Sequence, residues 1–160
     1  MNLNTLFIKQ KQLDEHIVNE KGLHGQDNYL NKLVSLSVEL GECKNEYPET
    51  FKFWSNKKND RKKGLVEFVD CIHFAISIAL ELGYEEHRYI QTTRKDLNKL
   101  YLGLQNITAT LSVDKDKRHI ESLLNNLILL GYQLDFTEDD VLNAYDDKNA
   151  VNYDRQESGY

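Results

Sequence analysis

The segment from Leu65 to Leu82 buries two carboxylates, Glu67 and Asp70, in a run that is apolar on almost every side, and this constrains the fold more than any other feature of the chain. Leu65, Val66, Phe68, Val69, Ile72, Phe74, Ile76 and Ile78 surround them. A helix that is apolar nearly all round is a buried helix, and an unpaired carboxylate in such a helix is costly. Glu67 and Asp70 stand at i, i+3, so they leave the helix on one face. That face continues through Phe74 and Ser77, not through lysines that could pair with the acids. Glu39 and Glu42 repeat the spacing on an earlier helix, with Glu39 set between Val38 and Leu40. Residues 43–66 leave room for a helix end, a short element, a loop and a return. Two long helices joined in this way can lie side by side and bring four carboxylates together. Such a group repels itself and titrates upward unless cations neutralise it. Hard divalent ions with oxygen ligands, above all Mg2+, meet that need. One E-x-x-E pair alone is usually a solvated helix face; the apolar setting of both pairs favours a metal site.

The remaining pattern is helical as well. Leu3, Leu6, Phe7, Leu13 and Ile17 recur at helical spacing and predict a first helix over about Leu3 to Glu20, with a turn at Gly22 and Gly25. A second helix is expected from about Asn28 to Asn45, and Pro48 opens a short segment reaching Trp54. Residues 55–64 are polar, basic and aperiodic, which predicts a mobile loop. Gly83 is a candidate C-cap for the third helix. Glu85 to Leu111 reads as helical throughout, with a possible break near Gly103, and a further helix over about Lys115 to Leu130 is expected to stop at Gly131. Thr137 with Glu138, Asp139 and Asp140 resembles an N-cap and acidic first turn, starting a last helix through about Tyr145 to Asn152. No alternating strand run competes, so the expected architecture is all-α, a helical bundle forming a single domain over 1–160. The length fits one domain, or one protomer of an intertwined dimer.

Charge and cysteine content narrow the function classes. The net charge of −6 argues against a general nucleic-acid or membrane-surface binder. The longest apolar run is broken by His73, Ser77 and Glu81, so no membrane span is expected. No signal peptide is legible at the N-terminus, and Cys43 and Cys71 are too few for a disulfide framework; both suit a reducing cytoplasm. A di-iron bundle would need Glu-x-x-His, which the chain lacks. Zinc held by Cys43, Cys71 and His73 is conceivable, but the cysteines are not closely paired, and a buried core role is the commoner one.

The E-x-x-E, gap, E-x-x-D arrangement resembles the all-α nucleoside triphosphate pyrophosphatases, which include MazG-type enzymes and the dimeric dUTPases. Three segments resemble the dimeric dUTPase branch of Gram-positive bacteria and their phages. They are Leu6 to Asp14 (LFIKQKQLD), Phe51 to Ser55 (FKFWS), and the tail from Ala144 to Gln156 (AYDDKNAVNYDRQ) that ends at Gly159-Tyr160. The motifs run from residue 6 to residue 160 in the family's order; about Glu85 to Leu130 carries none.

The resemblance implies a homodimeric dUTP diphosphatase that converts dUTP, and dUDP as well, by attack of a metal-activated water at the β-phosphorus. Glu39, Glu42, Glu67 and Asp70 would hold two or more Mg2+ ions, with Mn2+ a possible substitute, and Glu39 or Glu42 would act as general base. Gln10 and Asp14 lie on the apolar stripe of the first helix, where polar groups need partners, and a carboxamide matches the edge of uracil. Trp54, His73 and Phe74 are further candidates for the base, although a lone tryptophan or a buried histidine is commonly core. Tyr145, Lys148, Asn152 and Arg155 share one face of the last helix and are candidates for the phosphates. Basic residues in Lys57 to Lys63 could close over the triphosphate, although a solvated loop is the plainer reading. Two rival readings stay open: a MazG-like pyrophosphatase for another nucleotide such as dCTP, and a non-catalytic helical protein of the same fold that binds a protein partner.

Overall fold

The structure, a computed structural model, describes residues 1–91 and 93–158; the final Gly159-Tyr160 of the tail motif lies outside the described residues. Six α-helices follow one another: α1 (Asn4–Lys21), α2 (Tyr29–Asn45), α3 (Arg61–Glu81), α4 (Leu97–Leu111), α5 (Lys117–Gln133) and α6 (Glu138–Glu157). A 3-10 turn at Pro48–Thr50 follows α2, and no strand occurs among the described residues. The chain is all-α. Among the described residues no helix is long and apolar enough to cross a membrane.

Helix α3 is the centre of the bundle. Phe68, Val69, Cys71, Ile72, Ala75, Ile76, Ile78 and Ala79 are all fully buried, and the helix packs against α1, α2, α5 and α6. At roughly 1.5–3 kcal/mol for each large apolar side chain removed from water, this helix is a principal source of the fold's stability. It starts earlier than the apolar pattern predicts. Asp60 caps it by accepting from the Lys63 backbone N–H at 3.0 Å, so the polar segment expected at 55–64 gives its last four residues to the helix. Gly83 then adopts a left-handed φ of 82° directly after the helix.

The stretch before α4 departs from expectation. Its helix begins only at Leu97, capped by Asp96, and runs through Gly103 without a break. Between α3 and α4 three backbone donors go to side-chain amides from other elements. The His87 N–H bonds Asn4 Oδ1 at 2.9 Å, the Ile90 N–H bonds Asn125 Oδ1 at 3.0 Å and the Lys95 N–H bonds Gln133 Oε1 at 2.7 Å. These tertiary bonds satisfy the backbone that a helix would otherwise satisfy internally. Gly131 likewise does not end α5. It permits close packing, since a Cβ there would stand 2.8 Å from the Phe68 ring.

Helix α6 opens with a complete capping box, Thr137 bonding the Asp140 N–H and Asp140 bonding the Thr137 N–H. Arg61 donates to Asp140 Oδ2 at 2.7 Å and to the Asp135 carbonyl at 2.9 Å, fastening the start of α6 to the start of α3. The helix runs to Glu157, past the expected end near Asn152, and so carries Arg155 on the same rigid element as Lys148.

Two glycines should respond oppositely to alanine. A Cβ at Gly64 would meet the buried Tyr47 ring at 2.4 Å, whereas one at Gly103 meets nothing within 4 Å. Gly64→Ala is expected to lose about 1–3 kcal/mol through overpacking, and Gly103→Ala to gain about 0.4–1 kcal/mol through lower chain entropy. Urea unfolding of both variants checks the pair of signs.

Candidate active site

Because α2 and α3 lie side by side, the two acidic helix faces meet. Glu39, Glu67 and Asp70 each offer an oxygen, and these atoms all lie within 4.8 Å of one another. Burial, followed by the charges of Asp70, Glu42 and Glu67, pushes the Glu39 carboxyl up to about 7. Burial also raises Glu67 and Asp70, each against the pull of Lys148. Glu42 is exposed and stands outside the triangle, yet its charge raises all three members. Three converging oxygen donors, each pushed toward its protonated form chiefly by burial, suit a hard divalent cation. Cys43 and Cys71 take no part. Cys43 Sγ lies 3.2 Å from the Tyr101 hydroxyl, and both thiols are buried and pushed up, Cys43 to about 12.

Helix α6 crosses this cluster with its basic residues. Lys148 Nζ donates to Asp70 Oδ2 at 2.5 Å, and the Arg155 charge also draws the Asp70 carboxyl down. Lys148, Asn152 and Arg155 line one wall of a cavity of about 600 Å³ that also reaches Glu39 and Asp70. A larger groove, about 1050 Å³ beside the N-terminus and residues 82–90, contains no member of the triangle.

The opposite wall of the cavity comes from α1 and the second half of α3. Gln10, Asp14, His73, Phe74 and Ser77 line it, with Lys32 of α2. Gln10 Nε2 donates to Asp14 Oδ1 at 2.7 Å, and Ser77 Oγ donates to Asp14 Oδ2 at 2.6 Å. Tyr145 donates its hydroxyl to Gln10 Oε1 at 2.6 Å, and His73 Nδ1 lies 2.8 Å from the same oxygen. The His73 and Tyr145 rings stack at 3.8 Å with an angle of 11°. Burial and the Lys148 charge hold His73 down to about 3, so it is neutral.

The residues singled out from the sequence therefore divide. Glu39, Asp70, Gln10, Asp14, His73, Phe74, Lys148, Asn152 and Arg155 surround one cavity. Tyr145 is fully buried, and its hydroxyl is spent on Gln10 in place of facing the phosphate-side cations. Trp54 is 70% exposed, packs edge-to-face on Phe53 and does not line the cavity. Ser77 and Lys32 were not among the candidates. Both carried a signal: Ser77 is seven residues after Asp70, and Lys32 seven before Glu39, so each shares a helix face with an acid.

A cation at the triangle competes with the proton that Glu39 holds up to about 7. Metal affinity should therefore fall as the pH drops below that value, and binding should release protons. Titrating Mg2+ in buffers of different ionisation enthalpy is expected to show more proton release at pH about 6.5 than at pH about 8; equal release would separate Glu39 from the bound cation.

No curated protein sequence gives a significant match to the chain. A family model described as dUTPase matches residues 2–160. The match spans both acidic pairs, the Gln10–Asp14 segment and the α6 cations, so the chain belongs to the all-α dimeric dUTPase family and is a metal-dependent dUTP diphosphatase.

Proposed function

We propose that the cavity binds dUTP with its base against Gln10, Asp14, His73 and Phe74 and its triphosphate between the acidic triangle and α6. The observation that carries this reading is the continuity of the cavity. One space of about 600 Å³ is lined both by the amide network and by Glu39, Asp70, Lys148 and Arg155. Bound Mg2+, two or more ions with Mn2+ as a substitute, supplies neutralising charge for the phosphate oxygens and acidifies a water. Glu39, Glu67 and Asp70 hold the ions, and Glu42 adds its negative charge from one turn along α2. Glu39 also takes the proton of the attacking water, because it lines the cavity whereas Glu42 faces solvent. With Asp70 holding an ion, Lys148 would be free to reach a phosphate oxygen. Arg155 adds a planar donor pair suited to phosphate, and Asn152 an amide between them. These groups stabilise the charge that develops on the leaving phosphate. A substrate of two phosphates still spans both ends, so dUDP is hydrolysed too.

The working unit we infer is a homodimer. Leu30, Val34 and Val38 form an i, i+4, i+8 stripe on α2 and are 58%, 64% and 51% exposed. An apolar helix face of this kind needs a cover, and the exposed Phe53–Trp54 pair adds to the surface that a second copy would bury. The two free, buried thiols fit a cytoplasmic setting.

Release of diphosphate from dUTP, dCTP, dTTP, dATP, dGTP and UTP, with Mg2+ and with a chelator, tests the reading. Hydrolysis selective for dUTP and abolished by the chelator is expected, with Glu39→Gln lowering kcat by about 10²–10⁴-fold and Glu42→Gln acting mainly on metal affinity. Preference for dCTP would keep the metal site and overturn the assignment of the base wall.

A further inference from the structure

Gln10 is a carboxamide only 4% exposed, and its two ends are fixed by different neighbours. Asp14, one turn along α1, accepts from Ser77 at 2.6 Å and has Lys32 Nζ at 3.9 Å. Burial raises the Asp14 carboxyl while Ser77, Gln10 and Lys32 draw it down; in its ionised form it can only accept. The end of Gln10 that meets Asp14 at 2.7 Å must therefore be its NH2. The carbonyl consequently faces Tyr145 and the neutral His73, and its two lone pairs take the Tyr145 O–H at 2.6 Å and the His73 Nδ1–H at 2.8 Å. The stacking of the two rings holds both donors in place.

We propose that Tyr145 is a positioning residue for base discrimination: its hydroxyl, with His73, occupies the Gln10 carbonyl so that Gln10 can offer a nucleobase only an amide N–H. This rests on the base wall assigned above. Nε2 has one partner among the described residues, Asp14, which leaves its second hydrogen for a ligand. A uracil carbonyl accepts that hydrogen. The exocyclic amine of cytosine is itself a donor and would face it donor to donor. Turning Gln10 over to suit cytosine would set its carbonyl against the Asp14 carboxylate, oblige the Tyr145 hydroxyl to accept, and move the His73 proton to the buried Nε2, which has no partner among the described residues. The Asp14 bond would be lost outright and a buried donor left unpaired. Thymine shares the carbonyl edge of uracil, so this device separates dUTP from dCTP and not from dTTP. Tyr145 itself does not line the cavity and acts through Gln10.

A double-mutant cycle tests this. kcat/KM for dUTP and dCTP is measured for the native protein, Tyr145→Phe, Gln10→Leu and the double variant, with thermal melts alongside. Tyr145→Phe keeps the ring on His73 and removes one hydrogen bond. It is expected to lower the dUTP-to-dCTP ratio about five- to tenfold, mainly through KM, with Mg2+ affinity unchanged. In the Gln10→Leu background the same change should move the ratio by less than about twofold, because coupled residues are non-additive. Binding of dUMP and dCMP to Tyr145→Phe by calorimetry gives a second readout should Gln10→Leu melt early. A ratio that Tyr145→Phe leaves intact, or one that falls equally in both backgrounds, overturns the proposal. A native protein with no preference for dUTP over dCTP would instead overturn the base assignment, and this inference with it.

Discussion

The mutual repulsion of Glu39, Glu67 and Asp70 is the constraint on which the rest of the molecule turns. Their oxygens converge within 4.8 Å between two helices, and burial raises each of them. Lys148 answers this charge from 2.5 Å, and the Arg155 charge adds to it. A protein that held these acids only for stability would do better with apolar residues in their place, because buried ion pairs seldom repay their desolvation. The cluster makes physical sense as a receptor for ions and for the phosphates those ions bring.

Helix α6 turns that receptor into a site with two ends. Over its length it presents Lys148 and Arg155 to the acids and Tyr145 to the Gln10 network. Its start is fastened to α3 through Arg61 and Asp140. On the proposed reading, a displacement of α6 would therefore disturb base recognition and phosphate contacts together. Helix α3 has the same double role, carrying Glu67 and Asp70 in its first half and His73, Phe74 and Ser77 just beyond. The proposed site thus draws several of its groups from α3, the helix with the longest run of buried residues, where side chains have little freedom to wander.

Much of this was legible in the sequence, for identifiable reasons. The acids of α3 stand out because the residues around them are apolar, and i, i+3 spacing fixes their common face without reference to any other helix. The α6 capping box and the run of helices follow from local pattern in the same way. What failed to show depends on contacts across the fold. Nothing local reveals that Asn4, Asn125 and Gln133 would claim the backbone N–H groups of His87, Ile90 and Lys95 in place of helical bonds. Tyr145 shares a helix face with Lys148, yet the packing of α6 against α1 delivers its hydroxyl to Gln10. The i+7 relations that join Ser77 and Lys32 to the site were visible but ordinary, and became meaningful only when α1 placed Asp14 between them. For Trp54 the local aromatic motif carries no information on where its ring points, and in this chain it points to solvent.

The central claim is that the Glu39–Glu67–Asp70 cluster is the divalent-cation site serving the substrate phosphates. Anomalous diffraction from crystals grown with Mn2+ and a dUTP analogue bridged by nitrogen between the α- and β-phosphorus tests it most directly. Anomalous peaks are expected within coordination distance of Glu39, Glu67 and Asp70 and of phosphate oxygens, with Lys148 moved off Asp70. Peaks elsewhere, or an ordered analogue in the cavity with the Lys148–Asp70 contact intact and no cation beside it, would contradict it.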